Sequence, residues 1–349
     1  MINRQFAALR GLAIILVVLN HSVHLGSWYS QQVGYASPAG LEYYLWLVLE
    51  QLGVFAVPVF LFVSGSFFVY AARGKDLRSA YKIVWTNLGH IVFPYVLWSL
   101  VFYVLIYFGL GQSYSPVEYV KHLIVGYPFN FVPLLIFFYL LAPFLVSGGQ
   151  RLSWLSLAGI GIYQYVLLNL AYPGILGFRF PDFMHILEIP VLRTTIAIWG
   201  IYFPLGVVYS LNATKLMPVL YRLRWFFLFS AVALFVFNIF RYSSAQLPPI
   251  EGFLSPLFMS FLLPSIKRDQ IPMARRLELV GKRSYGLYLM HFNFINFTLF
   301  IVSLIFPALL GIRVLLVPVL FIIGLFLPLA LMNGLARSKT MSTYRYVFG

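Results

Sequence analysis

The most prominent pattern along the chain is a series of ten apolar runs, each bounded by segments that contain charged residues, proline or glycine. Within these runs apolar and polar residues do not alternate as they do in the strands of membrane barrels, so the runs predict α-helices. Each run is close to the roughly 20 residues that a helix needs to cross a bilayer. The predicted spans cover residues 7–25, 48–71, 94–110, 131–147, 154–171, 189–210, 224–240, 251–266, 284–306 and 312–335.

The connections between these spans are short, which predicts one all-α polytopic membrane domain of about ten transmembrane helices over residues 1–349. Two connections have a pattern of their own. Residues 78–93 are expected to form an interfacial helix that leads to Pro94, and residues 172–188 are expected to form an irregular outer segment broken by proline and glycine. Within the second span, the small residues Ser64 and Gly65 predict a close helix crossing.

The composition agrees with a membrane protein and predicts its orientation. Hydrophobic residues make up 61% and charged residues 9% of the chain, with a mean hydropathy of +0.89, whereas soluble domains carry roughly a quarter charged residues. If successive loops alternate between the two sides, 19 of the 24 Lys and Arg residues fall on one side. Because cytoplasmic loops collect Lys and Arg, both termini are predicted to be cytoplasmic. The net charge of +15 therefore reflects topology and does not indicate nucleic acid binding.

The chain has no cysteine, which narrows the possible chemistry. Disulfides, thiolate-based zinc sites and a cysteinyl acyl intermediate are all excluded. No metal site is predicted, and any covalent intermediate would have to use another residue.

Arg10 and His21 are the first candidates for chemistry, because ionisable residues inside apolar spans are costly and mark functional sites by default. They are 11 residues apart, and 11 steps of about 100° end about 20° from three full turns, so both side chains share one helix face. Their separation along the axis is about 16 Å. Arg10 is expected near the cytoplasmic surface as an anion clamp, and His21 near mid-membrane as a general base that deprotonates a hydroxyl.

Each of these residues also has a structural interpretation. Arg10 could anchor the first helix by extending to lipid headgroups. His21 could be a buried, hydrogen-bonded structural histidine, or it could share a metal ion with His24, three residues further along. The sequence alone leaves these alternatives open.

Two further polar groups are candidates. Glu50, in the second span, is expected either to orient His21 or to bind a sugar hydroxyl, although an interfacial Glu at a helix start would look the same. In the ninth span Ser284, Tyr288 and His291 lie at positions i, i+4 and i+7 of one helix face. The side chains expected to hold the acceptor or the oxyanion are Tyr285, Tyr288, His291 and Asn293.

Four segments together resemble the acyltransferase 3 family: RGLAIILVVLNH from Arg10 to His21, PVFLFVSG, HIVFPY and VGKRSYGLYLMH ending at His291. The resemblance runs over most of the chain and is to the compact branch without an extracellular esterase-type domain, similar to proteins that act on surface polysaccharides. It implies transfer of an acyl group, commonly acetyl, from cytoplasmic acyl-CoA to a hydroxyl of a glycan or lipid-linked sugar. By this resemblance His21 acts as general base on the acceptor hydroxyl or is itself transiently acylated, and no cofactor is bound permanently. Glu50, inferred from its place in the second span, is the second predicted catalytic residue.

The sequence departs from the family pattern before Pro94, where basic residues are expected about four and seven positions earlier. Those positions are His90 and Asn87, and the basic charges instead lie at Arg78 and Lys82. The predicted donor-binding residues are therefore Arg10, Arg78, Lys82 and Arg283. A basic cluster close to the ninth span could contribute as well: Arg275, Arg276, Lys282 and Arg283.

The sequence thus predicts a membrane O-acyltransferase of the cytoplasmic membrane, with acyl-CoA, a glycan acceptor and membrane lipids as partners. Polysaccharide biosynthesis proteins or a second copy of the chain are further expected partners. Two rival hypotheses remain at this stage. One is a glycan or small-anion transporter or flippase in which His21 and Glu50 form a proton relay, and the other is a non-catalytic partner of a polysaccharide synthase.

Overall fold

The computed structural model describes residues 2–147, 149–175, 177–242, 250–337 and 341–349. In these ranges the chain is helical, with short 3-10 segments in several connections and no strand. The α-helices are α1 (Ile2–Gln32), α2 (Gly40–Gln51), α3 (Ala56–Ala72), α4 (Leu77–Leu110), α5 (Pro116–Val125), α6 (Phe131–Ser147), α7 (Gly149–Ala171), α8 (Arg193–Trp199), α9 (Tyr202–Leu211), α10 (Ala213–Arg222), α11 (Arg224–Tyr242), α12 (Ile250–Leu262), α13 (Ala274–Lys282), α14 (Ser284–Ile305), α15 (Arg313–Arg337) and α16 (Met341–Phe348).

The described helices account for every predicted apolar run. Seven of them are long and apolar enough to cross a membrane, or eight if α8 and α9, which are bent by 45° relative to each other, count as one span. The other two runs correspond to the shorter apolar helices Phe131–Ser147 and Phe253–Ser265. The all-α polytopic fold class is therefore confirmed, whereas the count of ten crossings and the cytoplasmic side of both termini remain predictions.

The predicted boundary before Pro94 is wrong. Residues 78–93 are helical, but they continue through Pro94 into the apolar span as the single helix α4. A proline inside a helix removes one backbone hydrogen bond, and neighbouring groups in a membrane bundle can compensate for it. The bond that Pro94 cannot donate is the one to the carbonyl oxygen of His90. The hydroxyl of Tyr285 donates a hydrogen bond of 2.7 Å to the next carbonyl oxygen along the helix, that of Ile91.

The predicted start of the second span is also wrong. The helical segment begins at Gly40 rather than at residue 48, and it is interrupted by a 3-10 turn, Leu52–Phe55, between α2 and α3. Gly53 lies in this turn against α1, and a Cβ at this position would come within 2.6 Å of the side chain of Asn20. The close approach explains a glycine here and brings the turn next to the part of α1 that carries His21.

The predicted outer segment, residues 172–188, is irregular where the structure describes it, as expected from its prolines and glycines. It contains one 3-10 helix, Asp182–Leu187. Glu188 follows that helix and pairs with His185 at 3.1 Å and with Arg193 at 3.2 Å.

The described residues form two compact units, each discontinuous in sequence. The first unit comprises those within Met1–Leu9, Val57–Leu88 and Asn130–Ala274, and the second comprises those within Arg10–Ala56, Gly89–Phe129 and Arg275–Gly349. Helices α1 and α4 contribute residues to both units. The description of residues 1–349 as one domain remains a prediction.

Within the first unit, α3 and α9 cross at very short range. A Cβ on Gly65 would lie 2.2 Å from the carbonyl oxygen of Phe203, and one on Gly206 would lie 2.0 Å from that of Phe62. Ser66 donates a hydrogen bond of 3.1 Å to the carbonyl oxygen of Gly206 at the same crossing. The close helix packing predicted at Gly65 is confirmed, because small residues let helix backbones approach.

Within the second unit, α1, α14 and α15 enclose the core that positions the candidate site. Its buried residues come from all three helices and from the turn that precedes α15: Val18, Leu25, Tyr29, Ile295, Leu299, Leu310, Leu316, Leu320 and Leu325. Ser30 donates to the carbonyl oxygen of Leu310 at 2.7 Å, so this buried hydroxyl is satisfied. The core holds α1 against α14 over several turns.

Candidate active site

Two histidines predicted separately meet in the second unit. Nδ1 of His21 on α1 lies 3.0 Å from Nε2 of His291 on α14, and the ring centroids are 5.1 Å apart. His21 is half-buried, while His291 is only 1% exposed. The hydrophobic contacts between α1 and α14 fix both backbones, so the imidazole pair is built on rigid elements.

The hydrogen bonds of His291 fix the proton positions in the pair. Its Nδ1 lies 3.1 Å from the carbonyl oxygen of Leu287. A carbonyl only accepts, so Nδ1 of His291 carries a proton, and in the neutral ring Nε2 is then an acceptor. Nδ1 of His21 must therefore donate to it. This assignment leaves Nε2 of His21 unprotonated, which is the form that a general base requires.

Arg10 meets the same helix at its first turn. Its Nη2 donates a hydrogen bond of 2.9 Å to the hydroxyl of Ser284, which is fully buried. Ser284 and His291 are seven residues apart on α14, a rise of about 10 Å. The predicted common face of Arg10 and His21 is confirmed, since both side chains contact α14 on that face.

Glu50 contacts His24 and not the His21–His291 pair. Its Oε1 lies 3.0 Å from Nδ1 of His24, and the side chains of His24 and Glu50 are 61% and 30% exposed. The main chain at Glu50 is fixed by Asn20, whose Nδ2 donates to the carbonyl oxygen of Glu50 at 2.7 Å. Glu50 was expected to orient the His21 ring, but the residue that contacts the ring and orients it is His291.

The remaining predicted residues of α14 differ in their surroundings. The Tyr288 ring lies 5.9 Å from that of His291, so it borders the imidazole pair. The hydroxyl of Tyr285 donates a hydrogen bond to the carbonyl oxygen of Ile91. Asn293 donates to the carbonyl oxygen of Leu289 at 3.1 Å and less closely to that of Trp98, and among the described residues its buried Oδ1 has no hydrogen-bond partner.

Basic residues line two grooves on the first turns of α4, in the first unit. One groove of about 490 Å³ is lined by Lys75, Ser79, Lys82, Ile83, Thr86 and Asn87. The other, of about 750 Å³, is lined by Arg78, Ser79, Tyr81, Lys82, Trp85 and Thr86. Asn87, where the resemblance predicted a basic residue, thus shares a groove with two lysines. The hydrogen bond from Ser79 is the main cause that lowers the pKa of Asp76 at the start of this helix.

Arg283 lies in the second unit, directly before α14. It is half-buried and donates through Nη1 to Oδ1 of Asn333. The neighbouring basic residues Arg275, Arg276 and Lys282 are exposed. The cluster offers positive charge near the first turn of α14, where Arg10 also lies.

Two site residues were not found from the sequence. Asn20 is an isolated amide in an apolar helix directly before His21, a signal that was available. Phe292 packs edge-on against the His21 ring at a centroid distance of 5.2 Å, and nothing distinguishes it in the sequence from the other phenylalanines of its helix.

A family model described as an acyltransferase domain, Acyl_transf_3, matches residues 3–333. The match spans nearly the whole chain and includes all the candidate residues. No curated protein and no solved structure matches the chain.

Proposed function

The chain belongs to the acyltransferase 3 family and is a membrane acyltransferase, and from this premise we propose that it moves an acyl group, commonly acetyl, from cytoplasmic acyl-CoA to a hydroxyl of a surface polysaccharide or lipid-linked glycan. The observation that carries the proposal is the His21–His291 pair, in which Nε2 of His21 is left to accept a proton.

In the proposed reaction, Nε2 of His21 takes the proton of the acceptor hydroxyl as its oxygen attacks the thioester carbonyl carbon. The tetrahedral intermediate then collapses, the carbon–sulfur bond breaks, and the CoA thiolate takes the proton from His21. No net proton is gained or lost. While His21 is protonated, its Nδ1 continues to donate to His291, so the ring keeps its orientation through the cycle.

Arg10, Arg78, Lys82 and Arg283 remain the proposed donor-binding residues. Phosphate groups are held best by several cationic donors. Lys82 and Arg78 line the α4 grooves together with hydroxyl groups, and Arg10 and Arg283 supply guanidinium groups near the start of α14. Each unit therefore offers cationic groups for phosphate binding, in spite of His90 and Asn87.

The oxyanion of the tetrahedral intermediate needs hydrogen-bond donors close to the base. Tyr288 is the best supported of the predicted candidates, because its ring borders His291. Tyr285 and Asn293 direct donors to backbone carbonyl oxygens, which favours positioning roles for them. Glu50 contributes through His24 rather than as a direct partner of His21.

The proposed partners follow from this reaction. Acyl-CoA is a co-substrate rather than a bound cofactor, the acceptor is a glycan, and lipids of the cytoplasmic membrane surround the helices. Proteins of polysaccharide biosynthesis or a second copy of the chain would bring the acceptor to the site.

The test is acyl transfer from radiolabelled acetyl-CoA to endogenous membrane glycans, in inside-out vesicles that carry equal amounts of wild type or variant. His21→Gln is expected to lower incorporation by about 10²–10⁴-fold, the usual contribution of a general base. His185→Gln is the matched control, because His185 also pairs with a glutamate but lies in the outer segment of the first unit.

Equal incorporation by wild type and His21→Gln would remove His21 as the base. Absence of label in the wild type with acetyl-CoA and with longer acyl-CoAs would contradict the proposal and favour a transport or partner role.

A further inference from the structure

Three side chains follow one another along α1 on the face that carries His21. His24 and Trp28 are three and seven residues beyond His21, about 60° and 20° away around the helix and about 4.5 and 10 Å further along its axis. Both residues are more exposed than the base: His21 is half-buried, whereas the His24 side chain is 61% exposed and Trp28 is 41% exposed. A molecule that reaches His21 along this face must pass both residues.

The His24–Glu50 pair is held in place by the backbone around it. Asn20 donates to the carbonyl oxygen of Glu50 at 2.7 Å, so the end of α2 is tied to the turn of α1 that carries His21. The 3-10 turn that follows Glu50 approaches α1 so closely that Gly53 has no room for a Cβ. The carboxylate therefore meets the imidazole in a fixed geometry, with 3.0 Å between Oε1 and Nδ1.

The hydrogen-bonding capacity of the pair indicates what it can bind. A carboxylate only accepts, so Nδ1 of His24 donates to it, and the neutral ring keeps Nε2 as an acceptor. The second carboxylate oxygen of Glu50 is another acceptor. A hydroxyl can accept from or donate to Nε2 of His24, and a second hydroxyl can donate to Glu50, so the pair suits two neighbouring hydroxyls of a neutral molecule.

We propose that His24, Glu50 and Trp28 form the acceptor subsite, which takes an uncharged sugar ring through two neighbouring hydroxyls and one apolar face. One hydroxyl forms a hydrogen bond with Nε2 of His24, its neighbour donates to Oε2 of Glu50, and the apolar face of the ring packs on the Trp28 indole. A third hydroxyl of the same sugar is then presented to Nε2 of His21. The inference rests on the proposed function and adds the residues that select its acceptor.

The test compares two added acceptors, octyl β-glucoside and octanol, in the same vesicles with radiolabelled acetyl-CoA. Both are primary or secondary alcohols with the same alkyl chain, but only the glucoside has neighbouring hydroxyls and a ring face. His24→Gln is expected to raise the KM for octyl β-glucoside about tenfold, the effect of losing one hydrogen bond. The KM for octanol and the KM for acetyl-CoA stay the same.

Trp28→Ala is expected to raise the KM for the glucoside about fivefold, as for loss of an aromatic contact, and Trp28→Phe to retain most of the affinity. The matched controls are His185→Gln, which breaks the other histidine–glutamate pair, and Trp225→Ala, which removes an exposed tryptophan of the first unit. Both controls are expected to leave both acceptors unaffected.

The outcomes separate this inference from the proposed function. If His24→Gln raises the KM for glucoside and octanol equally, or raises neither, the acceptor subsite is overturned while His21-dependent transfer stands. A wild type that labels endogenous glycans but not the glucoside also overturns it. A wild type that labels no acceptor contradicts the proposed function itself.

Discussion

His291 determines which nitrogen of His21 carries the proton, and the proposed chemistry depends on this. Because Leu287 accepts from His291, the Nε2 atom of His291 must accept from His21. The partner of His21 is thus a buried, neutral imidazole. A carboxylate at the same position would be charged, and its burial would carry a large desolvation cost. The base is oriented without placing a second charge in the membrane.

Replacing His291 should therefore impair catalysis without removing the base. His291→Leu leaves Nδ1 of His21 without its acceptor, and kcat for acyl transfer is expected to fall about 10²-fold, the lower range of a general-base contribution. His291→Gln keeps an acceptor oxygen and should retain more activity than the leucine variant. The measurement is kcat in vesicles at saturating acetyl-CoA; equal activity of the wild type and His291→Leu would exclude the orienting role.

At this scale the sequence predicted the relation within one helix and missed the relation between helices. The 11-residue spacing was enough to put Arg10 and His21 on one face, since helix geometry is regular. The contact between His21 and His291 spans 270 positions and depends on how α1 packs against α14. For the same reason Glu50 was expected to orient His21, whereas its partner is the histidine one turn away.

At the scale of elements, the crossing of α3 and α9 should tolerate no side chain at Gly65. Gly65→Ala places a Cβ 2.2 Å from the Phe203 carbonyl oxygen, and the overpacking is expected to cost about 1–3 kcal/mol of unfolding free energy. Gly159→Ala is the control, because a Cβ there meets nothing within 4 Å, and a helical Gly→Ala change should be neutral or stabilising by about 1 kcal/mol. Thermal unfolding in detergent checks both, and equal melting temperatures would contradict the crossing.

The first turns of α4 give a prediction about the donor. If its grooves hold phosphate groups, the double variant Lys75→Gln and Lys82→Gln should raise the KM for acetyl-CoA about tenfold and leave kcat unchanged. The difference should shrink as salt rises, because exposed charges are screened. Lys121→Gln on α5 is the matched control. A change in kcat alone would show that these lysines do not bind the donor.

Complete local signals at both ends of a helix were not enough to predict it. Helix α5 begins with a capping box formed by Ser115 and Glu118, with Pro116 at its first position, and it ends at Gly126 with φ of +90°. All of these are recognisable sequence signals. In the capping box, the hydrogen bond from the Ser115 backbone is the main cause that lowers the pKa of Glu118. The helix went unpredicted because it is short and not strongly apolar. The predicted boundary at Pro94 failed because a proline usually marks a helix end, whereas α4 continues through it.

At the scale of the whole molecule, the uneven distribution of Lys and Arg predicts that both termini are cytoplasmic. Because the chain has no cysteine, a single introduced cysteine can report the side of each loop. Ser113→Cys lies in a predicted outer loop and Asp269→Cys in a predicted cytoplasmic loop, and both positions are exposed. A membrane-impermeant maleimide added to intact cells should label the first and reach the second only after permeabilisation. The reverse pattern would place the termini outside.

The central claim is that His21 is the base and that His291 acts through it, and a double-mutant cycle tests this most directly. The measurement is kcat for acetyl transfer in wild type, His21→Gln, His291→Leu and the double variant at matched expression. We predict that the double variant is as slow as His21→Gln alone, within about twofold, because residues that act as a unit are non-additive. Multiplicative losses, or substantial activity without His21, would contradict the account.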